Sequence, residues 1–174
     1  ASQITTIHLV LLKVIKFRNY NLKPPITRWF FLYPKVMKQL NIPFKIGMQY
    51  DNWEFDLEVT KDRVQGFDSY IYTGKKFNKF LNYSKYKTEL IFNLDVLEAV
   101  LISFESSNSD FNELSEIVNL KLNCLCETLE NSEVKICRFV TKSNEVWILK
   151  TTSNLYLLVS NIKYSLDVIN SLLC

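Results

Sequence analysis

Three apolar runs between residues 134 and 160, VKICRFV, EVWILKT and LYLLVS, constrain this chain more than anything else in it. Each has strand length, is rich in β-branched and aromatic residues, and is separated from the next by a Ser/Asn-rich turn. Connections that short join antiparallel neighbours, so the runs predict three consecutive strands of an antiparallel sheet. A helix follows in KYSLDVINSLL, with Leu166, Ile169, Leu172 and Leu173 turned inward. Before the strands, SNSDFNELSEIVNLKLNCLCETLE predicts a helix from Asp110 to about Leu129. Asp110 and Glu113 form a capping-box pattern, and Leu114, Val118, Leu122, Leu125 and Leu129 form the apolar stripe.

The first half reads as more strands. ITTIHLVLLKVIKF, residues 4–17, is apolar on both parities, as in a strand covered on both faces. Pro24 and Pro25 break it, and a short helix is expected from Pro34 or Lys35 to Asn41. In QYDNWEFDLEV, Trp53, Phe55, Leu57 and Val59 alternate with Asn52, Glu54, Asp56 and Glu58, which predicts a strand with one acidic face. FDSYIYT and KTELIFNLDV predict two further strands. DVLEAVLISFE either extends the second of these or starts a helix capped by Asp95. The expected fold is therefore α+β: a single domain over residues 1–174, with a mostly antiparallel sheet and two or three helices packed on it. A chain of 174 residues with 48% apolar side chains can bury such a core.

The chemistry of familiar active sites is missing. Three glycines, Gly47, Gly66 and Gly74, are too few for a glycine-rich phosphate loop, and no G-x-S-x-G or H-E-x-x-H pattern occurs. The single histidine, His8, lies in the first predicted strand and reads as a packing residue. Asp56 and Glu58 would share one strand face, but Glu54 and Asn52 beside them make that face a solvated one. Cys124 and Cys126 would point about 200° apart on a helix, and no second pair follows at zinc spacing. They read as small buried apolar groups. The expectation is no catalytic residue, no cofactor and no metal: not an enzyme.

The four cysteines (Cys124, Cys126, Cys137, Cys174) follow no disulfide framework, so a reducing, intracellular, cytoplasmic setting is expected. No apolar run reaches the roughly 18 residues of a membrane span, and no signal peptide is visible.

Charge carries what functional signal there is. Residues 1–50 sum to +8, 51–74 to −4, 75–87 to +5, 88–135 to −8 and 136–174 to +2. In GKKFNKFLNYSKYK, Lys75, Lys76, Lys79, Lys85 and Lys87 interleave with Phe77, Phe80, Tyr83 and Tyr86. Basic side chains beside aromatics suit a phosphate-bearing partner, whether an anionic membrane surface or RNA. Together with Lys13, Lys16 and Arg18 these five lysines are expected to form an exposed positive surface, with Phe77 and Phe80 buried beneath it. Opposite blocks of charge also allow one copy to attract another, or to neutralise each other within one copy.

PFKIGMQYDNWEFDLEV, residues 43–59, resembles the PF-x-IG turn and following strand of animal rhabdovirus matrix proteins. The resemblance covers about a tenth of the chain and implies Pro43, Phe44, Ile46 and Gly47 as a structural turn. It implies a small, non-enzymatic, self-associating viral structural protein of the virion, membrane-associated and RNA-binding in the sense of condensing ribonucleoprotein. No PPxY motif is present. The order of a helix, three strands and a last helix is also similar to roadblock and longin modules, which implies an intracellular scaffold or adaptor as the alternative.

Overall fold

The computed structural model describes residues 39–81, 83–104, 110–130, 133–142 and 144–173. Two single-turn 3-10 helices, Tyr50–Asn52 and Glu54–Asp56, lead into β1 (Leu57–Val59). There follow β2 (Asp68–Tyr72), β3 (Lys79–Phe80), β4 (Tyr83–Asn93) and β5 (Val96–Phe104). Helix α1 (Phe111–Leu122) crosses to β6 (Glu127–Glu130), and β7 (Lys135–Val140), β8 (Asn144–Lys150), β9 (Leu155–Asn161) and helix α2 (Ser165–Leu173) complete the order. The first strand predicted at residues 4–17, His8 and most of the helix expected at 35–41 lie outside the described residues.

The sheet runs β1-β2-β4-β5-β9-β8-β7-β6, with β3 hairpinned onto β4, and every described pairing is antiparallel. Two meanders thus start at opposite edges and meet where β5 pairs with β9. Helix α1 makes this possible by carrying the chain from the centre to the far edge. The α+β expectation holds at this level, in a form dominated by the sheet.

Among the described residues, each sheet face is covered by one helix. Leu114 and Val118 of α1 pack on the face built from Leu90, Phe92, Val100, Phe139, Ile148 and Leu157. Val168, Ile169 and Leu173 of α2 pack on the other, against Ile91, Leu101, Trp147, Leu149 and Leu158. Strand residues alternate between the two clusters because successive side chains leave a strand on opposite sides. Both faces are apolar, so the central strands read as continuous runs.

Four expectations need correction. The strand predicted over 49–59 is confined to Leu57–Val59. Tyr50 packs on Tyr70 and Phe92, and Trp53 on Phe44 and Tyr72. Rings three positions apart meet one surface on a 3-10 turn and opposite surfaces on a strand. Phe55 pays for this arrangement by standing 96% exposed. Second, helix α1 starts at Asp110, whose side chain accepts from Asn112 N at 2.7 Å, but it stops at Leu122, where Asn123 turns left-handed (φ 48°). Leu125 is therefore 89% exposed, and Leu129 belongs to β6. Third, Cys126 is joined to Cys137 in a disulfide, Cα atoms 5.8 Å apart, because β6 folds back along β7; Cys124 stays a free thiol. The segment at 94–95 is no helix cap. Leu94 and Asp95, both at positive φ, form the two-residue turn of the β4–β5 hairpin.

The 43–47 stretch is a turn. Gly47 adopts φ 87° and donates to Leu97 O at 2.8 Å, while Met48 N donates to Lys45 O at 2.9 Å. It anchors the chain entry to the start of β5 and leaves Phe44 fully buried.

Candidate anionic-partner surface

The lysine-rich segment 74–87 covers the β2–β3 connection, β3 and the start of β4. Phe77 and Phe80 are buried: Phe77 meets Phe44 edge-on at 5.5 Å, and Phe80 lies 5.9 Å from Phe104. Their burial fixes the backbone between them. Lys75, Lys76 and Lys79 are exposed on that anchored backbone, and none has a carboxylate within ion-pair distance among the described residues.

Lys85 and Lys87 do not join them as free surface charges. A β-bulge between Lys85 and Lys87 places the two on opposite faces of the sheet: Lys85 is opposite Phe104 and Lys87 opposite Ser103. The intervening residue, Tyr86, stands 74% exposed. Lys85 is half-buried, its Nζ 5.3 Å from the ring centres of both Tyr72 and Phe77, and burial pushes its ammonium below the ordinary lysine range. Lys87 is paired, with Nζ 3.2 Å from Glu89 Oε2. Lys13, Lys16 and Arg18 lie outside the described residues. Of the five expected lysines among the described residues, Lys75, Lys76 and Lys79 form an exposed ridge, with Lys85 seated behind it and Lys87 paired.

Glu89 explains why Lys87 is lost to the ridge. Buried in the sheet, it accepts from Arg63 Nε at 2.7 Å and Nη2 at 2.8 Å, a bidentate pair. Burial by itself pushes the Glu89 carboxyl up; the Arg63 hydrogen bonds, with the charges of Arg63 and Lys87, outweigh it and hold the group below the ordinary carboxylate range. Its folded pKa lies below the unfolded value of about 4.3. The stabilisation is therefore fully present above that pH and is lost as pH falls through the lower folded value. Urea denaturation over a descending pH series should show unfolding free energy dropping in that window, and Glu89→Gln should remove this part of the slope. An unchanged slope in the variant would show that the linkage lies elsewhere.

A second buried polar cluster, invisible in the sequence, lies under α2. Glu145 accepts from Arg138 Nη2, from Ser165 Oγ and, at 3.1 Å, from Trp147 Nε1. Arg138 also donates to Glu127 Oε2 at 3.0 Å and stacks 5.2 Å from the Trp147 ring. All its members but Glu127 are buried, so the cluster ties β6, β7, β8 and α2 together and presents nothing to a ligand. Asp56 lies in a 3-10 turn and Glu58 in β1, so the two do not share a strand face. Among the described residues no group of three His, Cys, Asp or Glu side chains is placed to hold a metal ion, and no helix is long and apolar enough to cross a membrane.

No family model and no curated protein matches the chain. Among solved structures it is similar to a GTP-binding regulator from Thermotoga maritima, at 10% identity, over 71% of this chain and 84% of that one, with a TM-score of 0.39. It is also similar to an extracellular protein containing an SCP domain from Bacillus anthracis, at 12% identity, with a TM-score of 0.37. That match takes in 84% of this chain, which spans about half of the other (52%). Likenesses this slight carry no functional argument.

Proposed function

We propose that this chain is a non-enzymatic, self-associating structural protein, matrix- or coat-like in role, that attaches to an anionic membrane surface or ribonucleoprotein through Lys75, Lys76 and Lys79. The observation that carries the reading is the ridge itself: three exposed ammonium groups with no carboxylate partner among the described residues, held on a backbone pinned by Phe77 and Phe80. Phe77 and Phe80 face inward and offer no stacking surface, so what the ridge itself presents is charge. A roadblock- or longin-like adaptor is the second reading, supported by the order β7, β8, β9, α2 at the C-terminal end, although a short strand, β6, separates these from α1. Growth beyond a dimer favours the structural role; a closed dimer that captures a different protein favours the adaptor.

Each lysine near an anionic bilayer contributes roughly 1 kcal/mol, so three supply on the order of a hundredfold in affinity. Replacing Lys75, Lys76 and Lys79 by Glu should remove at least that much binding to phosphatidylserine vesicles, with an unchanged circular dichroism spectrum. Parent binding should weaken steeply as salt rises, through screening on lipid and counterion release on RNA. A triple variant that binds like the parent, or attachment indifferent to salt, rules the ridge out.

A further inference from the structure

The β1 edge has features that the lysine ridge alone does not use. β1 is the terminal strand, hydrogen-bonded to β2 on one side and to no described strand on the other. An open strand edge is a template for pairing with another chain. Beside it Phe55 is 96% and Val59 81% exposed, with the carboxylates of Asp51, Glu54 and Glu58 in solvent around them. The ridge adjoins this patch. Thr73 N donates to Asp56 O at 2.9 Å, and a Cβ on Gly74 would lie 2.8 Å from Asp56 Cγ, so Lys75 and Lys76 follow directly on the acidic turn.

Charge decides what this corner fits. Its exposed carboxylates, Asp51, Glu54 and Glu58, stand against the exposed Lys75, Lys76 and Lys79, so both signs are present in equal number. The three lysines by themselves suit a phosphate surface; the corner taken with Phe55, Val59 and the carboxylates, an apolar centre rimmed by both signs, has the pattern of a protein–protein contact. In a two-fold contact the same patch meets itself, so residue i touches j and j touches i. A second copy therefore offers its lysines to these carboxylates and its carboxylates to these lysines. On the opposite edge, β6, Glu127 and Glu130 are already paired with Arg138 and Lys135, so that edge has less charge to offer a partner. The geometry points to an isologous homodimer across the β1 edge, centred on Phe55 and Val59, with acidic and basic rims exchanged between copies. This deepens the self-association in the proposed function and is shared by both readings given there.

Sedimentation of the full chain over a range of concentrations tests it. The parent should dimerise. Phe55→Ser with Val59→Ser should raise the dissociation constant about tenfold or more, because two apolar side chains lose their burial. Glu54→Lys with Glu58→Lys should weaken the dimer, as should Lys75→Glu with Lys76→Glu, and all four reversals together should restore it. A parent that stays monomeric at the highest concentration, a dimer indifferent to Phe55 and Val59, or no restoration by the combined reversal overturns the proposal. Vesicle binding is scored separately. A Phe55-dependent dimer that ignores vesicles supports this interface and sinks only the ridge; a vesicle-bound chain that remains monomeric sinks only the dimer.

Discussion

Replacing Glu145 by Ala is expected to remove about 3–5 kcal/mol of folding stability, the range for breaking a buried ion pair by deleting one partner. Glu145 is fully buried and accepts from Arg138, Trp147 and Ser165. Without the carboxylate, Arg138 keeps only Glu127, and the Trp147 N–H and Ser165 hydroxyl lose their shared acceptor in a dry site. Domains have about 5–15 kcal/mol in all, so the loss is severe. Urea denaturation followed by tryptophan fluorescence measures it. Hydrogen exchange should accelerate first in Ser165–Leu173, because Ser165 is the helix's polar tie to β8. The double variant Arg138→Met, Glu145→Leu should recover most of the loss, since an apolar pair leaves no orphaned charge. A loss under about 1 kcal/mol for Glu145→Ala would show that the carboxylate does not hold the cluster together.

Phe44→Ala is the second large expected loss, about 3–5 kcal/mol for a fully buried phenylalanine. Its ring lies 5.0 Å from Trp53, 4.9 Å from Tyr72 and 5.5 Å from Phe77, each contact edge-on. Edge-on pairs add to the area term, so few side chains in the molecule hold more together. Phe77 in turn pins the backbone that presents Lys75 and Lys76, and its ring carries Lys85. The variant should therefore lose vesicle affinity as well as stability, while Phe44→Leu should retain most of both. Amide exchange near Phe77 separates the outcomes: protection unchanged in Phe44→Ala would mean that the ridge does not depend on this aromatic cluster.

The parts of this protein legible in its sequence are those set by neighbours along the chain. Strand-length β-branched runs and Ser/Asn turns marked β7, β8 and β9, three- and four-residue spacing marked α2, and Asp110 marked the start of α1, because each of these signals is local to its own stretch of chain. The end of α1 was not legible. Its apolar stripe runs on through Leu125 and Leu129, but Asn123 turns the chain so that β6 can pair with β7, and nothing local announces that partner. The alternation at 53–59 misled for the same reason: rings from Phe44, Tyr70, Tyr72 and Phe92 claim Tyr50 and Trp53 and leave Phe55 outside. The lysines show the division most plainly. Five in thirteen residues is a fact of sequence, and so is the burial tendency of Phe77 and Phe80. Which lysines keep no carboxylate partner among the described residues is decided by a bulge at Tyr86 and by Glu89, itself gripped by Arg63 from 26 residues away. A charge is neutralised by whatever folds across from it, and only the tertiary structure decides what that is.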